Sequence, residues 1–176
     1  MQLLLDRFHS PIGVMLLVHD AEGRLHAVDF EDFEPRMHRL LRLHYGPVEL
    51  ADGAAPGAIT APLQAYFAGA HAAVAARPTS TAGTPFQRSV WAALRTIRPG
   101  ATTSYGRLAS MIGRPGASRA VGMANGANPL TIVVPCHRVI GADHTLTGFG
   151  GGLHRKRWLL AHEGVVVNAD RQPVLV

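Results

Sequence analysis

The residues best suited to chemistry lie in one stretch, Pro135-Cys136-His137-Arg138-Val139, which holds the only cysteine of the 176-residue chain. A lone cysteine is usually a small buried hydrophobe, so its neighbours must decide its role. The nucleophilic form of cysteine is the thiolate, and a free thiol has a pKa of about 8.5. A base held beside it, and itself oriented by a third group, makes such a thiol reactive at neutral pH. His137 is the adjacent candidate base. The preceding run, residues 130–134, is apolar and β-branched and predicts a short buried strand. Pro135 cannot donate to a ladder and ends it. Neighbouring residues of an extended segment face opposite ways, so Cys136 and His137 would struggle to touch directly.

Helices are expected on either side of this stretch. Thr84 caps a helix with Pro85 at its first position and Phe86, Val90, Leu94 and Ile97 on one face. Ser104 caps a second, with Leu108, Met111 and Ile112 inward. Gly113-Arg114-Pro115-Gly116 is a tight turn, and a third helix carries Ala117, Ala120, Val121 and Ala124 on one stripe. Helix, short glycine turn and helix make a helix-turn-helix pattern. Arg119 falls opposite the stripe, flanked by the small Ser118 and Gly122, so this helix can approach a surface closely and insert one long cation. Asn128, before Pro129, marks the hand-over to the cysteine strand. Residues 147–152 form a glycine-rich loop able to approach a ligand, and residues 154–163 a last helix. Glu163 ends it, at the negative pole where a carboxylate is mildly unfavourable.

The first third reads as a small α/β unit. Residues 14–19 and 25–30 predict a hairpin, and Met37, Leu40, Leu41 and Tyr45 a helix stopped by Gly46. Thr60 is expected to cap a helix carrying Leu63, Tyr66 and Phe67. A boundary is expected in the Ala/Thr/Pro-rich stretch 70–83, giving domains 1–80 and 81–176.

Composition excludes several classes. One cysteine rules out an internal disulfide and a thiolate-rich zinc site. No apolar run approaches the roughly 18 residues of a membrane span, and a reducing, cytoplasmic setting is expected. Residues 1–52 hold nine acids against five bases, the remainder twelve bases against three acids. Such asymmetry points to a polyanion partner for the second half. Lys156 is the only lysine.

Taken together, Pro135-Cys136-His137-Arg138-Val139, Ser104-Tyr105, Arg119-Ala120-Val121-Gly122, Asn128-Pro129, Gly150-Gly151-Gly152 and Leu160-Ala161-His162-Glu163-Gly164 resemble the O6-alkylguanine-DNA alkyltransferase family in its bacterial two-domain form. The resemblance covers residues 84–176; Ser10-Pro11-Ile12-Gly13 and Tyr66-Phe67-Ala68-Gly69 extend it less specifically. It implies an α/β (α+β) fold: an N-terminal RNase-H-like domain, then a mostly helical, winged-helix-like domain with the helix-turn-helix. It implies irreversible transfer of an alkyl group from guanine O6, and from thymine O4, in double-stranded DNA to Cys136. Glu163, His137 and a water would activate the thiol, and Tyr105 and the Gly150 amide would assist the leaving base. The base would be flipped from the minor groove, with Arg119 filling the gap and Ser118, Ala120, Gly122 and Arg138 contacting DNA. Asn128, Pro135, Val139, Phe149, Gly150 and Gly151 would shape the pocket. Phe149 stands where many relatives carry tyrosine. No metal, cofactor, membrane or obligate protein partner is implied, and the protein would be a monomer.

Three other readings compete. A non-catalytic sensor of alkylated DNA would lack the acceptor cysteine. A promoter-reading regulator would need more base-reading side chains on its recognition helix. A cysteine hydrolase would turn over rather than retain a stable S-alkyl product.

Overall fold

The structure, a computed structural model, describes residues 1–166. It packs as two units: Met1–Gly83 with Pro129–Val133, and Thr84–Asn128 with the chain from Val134 onward.

The first unit is a four-stranded sheet built from β1 (Gln2–Ser10), β2 (Gly13–His19), β3 (Leu25–Phe30) and β4 (Glu49–Asp52), in the order β3-β2-β1-β4. The expected hairpin forms as β2 and β3, antiparallel, and Asp20 closes its turn by accepting from the amides of Glu22 and Arg24. Two further strands join it, β1 antiparallel to β2 and β4 parallel to β1. Helix α1 (Glu34–Tyr45) buries Met37, Leu40 and Leu41, as its spacing predicts. Met37 and Leu41 pack with Leu3, Leu5, Leu16 and Val18 of the sheet. Gly46 ends the helix with φ 73°, a conformation glycine adopts without a Cβ clash. Helix α2 (Gly57–Phe67) begins after Pro56, so Thr60 lies within its first turn and does not cap it.

The expected strand over residues 130–134 does not form. The Val28 amide donates to Pro129 and its carbonyl accepts from Thr131, which holds this segment beside β3 for two residues. Ile132 then turns through φ 72°, a rare state for a β-branched residue. Composition favours an extended run, but Val28 pairs with it only at Leu130 and the positive φ of Ile132 ends it.

The second unit opens with α3 (Pro85–Leu94), α4 (Tyr105–Met111) and α5 (Ser118–Gly126). Thr84 and Gln87 form a reciprocal capping box at 3.1 and 3.0 Å, and Ser104 accepts from the Arg107 amide. The buried residues are Val90, Trp91 and Leu94 on α3, Leu108 and Ala109 on α4, and Val121, Ala124 and Asn125 on α5. Two expectations fail: Met111 is exposed, and Ala120 faces outward and not into the core. Both lie one helical step from the true buried stripe, where alanine and methionine give a weak hydrophobic signal. Strand β5 (Thr103–Ser104) pairs in parallel with β6 (Val139–Ile140). Helix α6 (Leu153–His162) closes the unit, packing Leu160 with Ile140 and Leu146. Among the described residues, no helix is long and apolar enough to cross a membrane.

Candidate active site

A single turn of 3-10 helix, Cys136–Arg138, presents the motif. Its three side chains point apart, since a 3-10 helix turns by about a third of a circle per residue. The cysteine and histidine are thus separated by a tight turn and not by an extended strand. The preceding backbone is fixed by Asn128, fully buried, whose Nδ2 donates to the Val134 carbonyl at 2.9 Å. The Cys136 amide donates to the same carbonyl at 2.8 Å.

Cys136 is 4% exposed and borders a cavity of about 470 Å³. Tyr105, at the start of α4, and Ser118, Arg119, Gly122 and Asn125, on α5, form one wall. Thr147, Gly148, Phe149 and Gly150 of the glycine-rich loop form the other. The Tyr105 ring lies against α5 at Gly122, where a Cβ would stand in ordinary contact at 3.7 Å. Ser118, Arg119 and Ala120 are exposed, and Ala120 is not among the cavity-lining residues.

Behind the cavity lies a fully enclosed polar chain. His137 is 0% exposed, and its Nε2 lies 2.8 Å from Glu163 Oε1. Burial opposes the Glu163 charge, but hydrogen bonds from Arg138 and His137 outweigh it and hold the carboxyl well below the usual carboxylate range. An ionised carboxylate only accepts, so His137 carries its proton on Nε2 and leaves the Nδ1 lone pair open. Nδ1 is buried and has no partner among the described residues. Burial lowers the His137 pKa against the pull of Glu163, keeping the imidazole neutral at pH 7. A neutral imidazole with an open Nδ1 can accept a proton. Phe149 meets this ring edge-on, with centroids 6.5 Å apart.

Arg138 corrects the expectation of a DNA contact. It is 5% exposed, bonded through Nε and Nη2 to Glu163 at 2.9 and 2.8 Å, and through Nη1 to the Ile97 carbonyl. A guanidinium so committed cannot reach a phosphate. The fork offsets the unfavourable position of Glu163 at the end of α6. Gly151 is buried too, its carbonyl accepting from Arg155 at 2.9 Å.

Three groups at or behind the cavity were not anticipated. The Thr147 hydroxyl donates to the Tyr105 oxygen at 3.0 Å. Lys156, 0% exposed, donates to the carbonyls of Val139, Thr147 and Gly148 at 2.5, 2.7 and 3.3 Å. Burial lowers its pKa to about 8, although the nearby Cys136 opposes the shift. Asn125 Oδ1 is buried without a partner among the described residues. Only Lys156 left a trace in the sequence, as the one lysine among arginines. No cluster of three or more His, Cys, Asp or Glu among the described residues could hold a metal ion.

Residues 85–165 match the family described as 6-O-methylguanine DNA methyltransferase, DNA binding domain. The whole chain narrows this further. It is 49% identical over 169 residues to a methylated-DNA–protein-cysteine methyltransferase of Salmonella typhimurium, covering 95% of this chain and 99% of that one. The protein of the same name from Mycobacterium bovis is 52% identical over 162 residues, 92% of each chain. The crystal structure of Mycobacterium tuberculosis O6-methylguanine methyltransferase superposes with a TM-score of 0.74 at 40% identity, covering 96% of each chain. That of the M. tuberculosis protein OGT in complex with DNA gives 0.73 at 40% identity, covering 93% and 92%. The chain belongs to the methylated-DNA–protein-cysteine methyltransferase family.

Proposed function

We propose that this protein repairs alkylated DNA directly, moving the alkyl group from guanine O6 to Sγ of Cys136. The observation that carries the reading is the buried chain behind the thiol: Glu163 fixes the proton of His137 on Nε2, which leaves Nδ1 as the base. Through a bridging water, Nδ1 takes the thiol proton. The thiolate attacks the alkyl carbon, the S–C bond forms as the C–O6 bond breaks, and the electron pair passes to the guanine ring. Tyr105 donates its hydroxyl to the base and the Gly150 amide faces O6, both aimed at the charge that develops. The proton taken from the thiol returns to the guanine, so atoms and charge balance without metal or cofactor. The thioether product is a poor leaving group, and each molecule acts once.

The target carbon lies within the duplex, so the nucleotide must leave the stack. Arg119, exposed on α5 at the cavity rim, fills the space it vacates from the minor-groove side. Ser118, Ala120 and Gly122 keep that face of the helix low enough to approach DNA. The reading carries the family's finer fold description, an RNase-H-like domain and a winged-helix-like domain, and a monomer acting in the cytoplasm. O4-alkylthymine is the second substrate.

The test is intact mass after mixing the protein with a duplex containing O6-methylguanine, with Cys136→Ser as control. A gain of one CH2, found on Cys136 of the wild type alone, is the expected result. Tight binding without mass gain would favour a non-catalytic sensor instead.

A further inference from the structure

The cavity brings together two hydroxyls that the reaction as drawn treats unequally. Tyr105 has an assigned task and Thr147 has none. Yet Thr147 Oγ1 donates to the Tyr105 oxygen at 3.0 Å, across 42 residues of sequence. A phenol carries one proton and two lone pairs. When its oxygen accepts from Thr147, its own proton is free to point elsewhere, and the remaining surroundings limit where. The ring lies against Gly122 of α5, and both hydroxyls border the cavity that holds Cys136. Thr147 is itself held in place, because Lys156 donates to its carbonyl at 2.7 Å and to that of Gly148 at 3.3 Å. The same ammonium is anchored at Val139, one residue past the Cys136–Arg138 turn.

We infer that Thr147 is a positioning residue for alkyl transfer: by donating to the Tyr105 oxygen it commits the phenolic proton to the departing base. The inference rests on the role proposed above for Tyr105. As the base gains negative charge, the Tyr105 O–H bond polarises, and the Thr147 hydrogen bond stabilises the charge appearing on the phenolic oxygen. Two hydrogen bonds in line polarise and strengthen one another. Burial raises the Tyr105 pKa while the Thr147 bond opposes that rise, consistent with donation from Thr147. A threonine methyl in a loop otherwise rich in glycine also limits how freely the hydroxyl swings.

The test is a double-mutant cycle on the rate at which free O6-benzylguanine alkylates Cys136, read by intact mass. Free base is used so that duplex binding does not contribute. Thr147→Val removes the donor and keeps the shape. It should slow the reaction about tenfold, the size of one hydrogen bond lost in the transition state. Thr147→Ser should restore most of the rate. In a Tyr105→Phe background, Thr147→Val should cost nothing further, because there is no phenolic oxygen left to receive its proton. A wild-type rate for Thr147→Val would overturn the inference. So would an equal loss in both backgrounds, which would mean that Thr147 acts through the loop alone. If wild-type Cys136 never gains mass, the proposed reaction itself falls, a result distinct from either.

Discussion

Arg138 and Glu163, twenty-five residues apart, are joined by a buried fork in which Nε meets Oε2 and Nη2 meets Oε1. Oε1 also receives Nε2 of His137, so one carboxylate orients the base and anchors the cation. Breaking such a pair from one side leaves an uncompensated buried charge. Arg138→Leu should therefore destabilise the protein by about 3–5 kcal/mol, seen as a lower urea midpoint. Arg138→Lys should recover little, because an ammonium cannot reproduce the planar fork. A neutral effect of Arg138→Leu would mean that the fork is not formed in solution.

The same carboxylate sets an acid limit. The folded protein holds the Glu163 pKa below its unfolded value of 4.5. The stability this contributes is fully present above that value and is lost as pH falls through the folded one. His137 adds to the trend: burial holds its pKa below 6.5, so the unfolded chain takes up its proton first as pH drops. Glu163→Gln should start less stable at pH 7, with Arg138 left unpaired, and lose less stability between pH 5 and pH 3. Urea midpoints across that range measure it, and parallel curves for the two proteins would contradict it.

Asn128→Ala removes the donor to the Val134 carbonyl in a fully buried setting. The carbonyl keeps the Cys136 amide as a donor, so one buried hydrogen bond is lost without leaving a bare group, at a cost of about 0.5–1.5 kcal/mol. The loss should appear both as a lower Tm and as slower alkylation, because the Cys136 amide shares that carbonyl. A loss of Tm with no loss of rate would show that Cys136 is positioned by other contacts.

Gly122 gives a graded test of the Tyr105 wall. A Cβ there stands in ordinary contact with the ring at 3.7 and 3.8 Å, so Gly122→Ala should keep its reaction with free O6-benzylguanine. Gly122→Leu must displace the ring, and a shift of about 1 Å can cost on the order of 100-fold in rate. Equal rates for the two variants would show that the ring is not held by α5.

Arg119→Ala should weaken repair of duplex DNA much more than reaction with the free base, since only the duplex has a gap to fill. Equal losses with the two substrates would argue against its role in flipping.

Several local signals match locally determined structure, whereas the cap expected at Thr60 does not, because α2 already begins at Gly57. Thr84, Ser104 and Gly46 each act within one helical turn, and the β2–β3 hairpin is set by its own turn. The other differences lie where a distant partner decides. The β-branched run ending at Val134 reads as a strand, yet Val28 pairs with it only at Leu130 and Ile132 turns away. Arg138 reads as one more cation of a basic half until Glu163 is seen beside it. Strand β1 hides in a leucine-rich start whose alternation is clear only once α1 covers Leu3 and Leu5. Thr147 and Lys156 act through a hydroxyl and through carbonyls, and no residue pattern records where main-chain oxygens converge.

The excursion of Pro129–Val133 into the first unit bears on modularity. The chain leaves the second unit after Asn128 and re-enters it at Val134, two residues before the thiol. No single proteolytic cut or truncation point can therefore separate the two units cleanly. A fragment beginning at Thr84 would carry an apolar segment whose Pro129 carbonyl and Thr131 amide have lost Val28. The acceptor half is thus not a transplantable cassette, and a fusion or minimised version should retain the sheet that receives this loop.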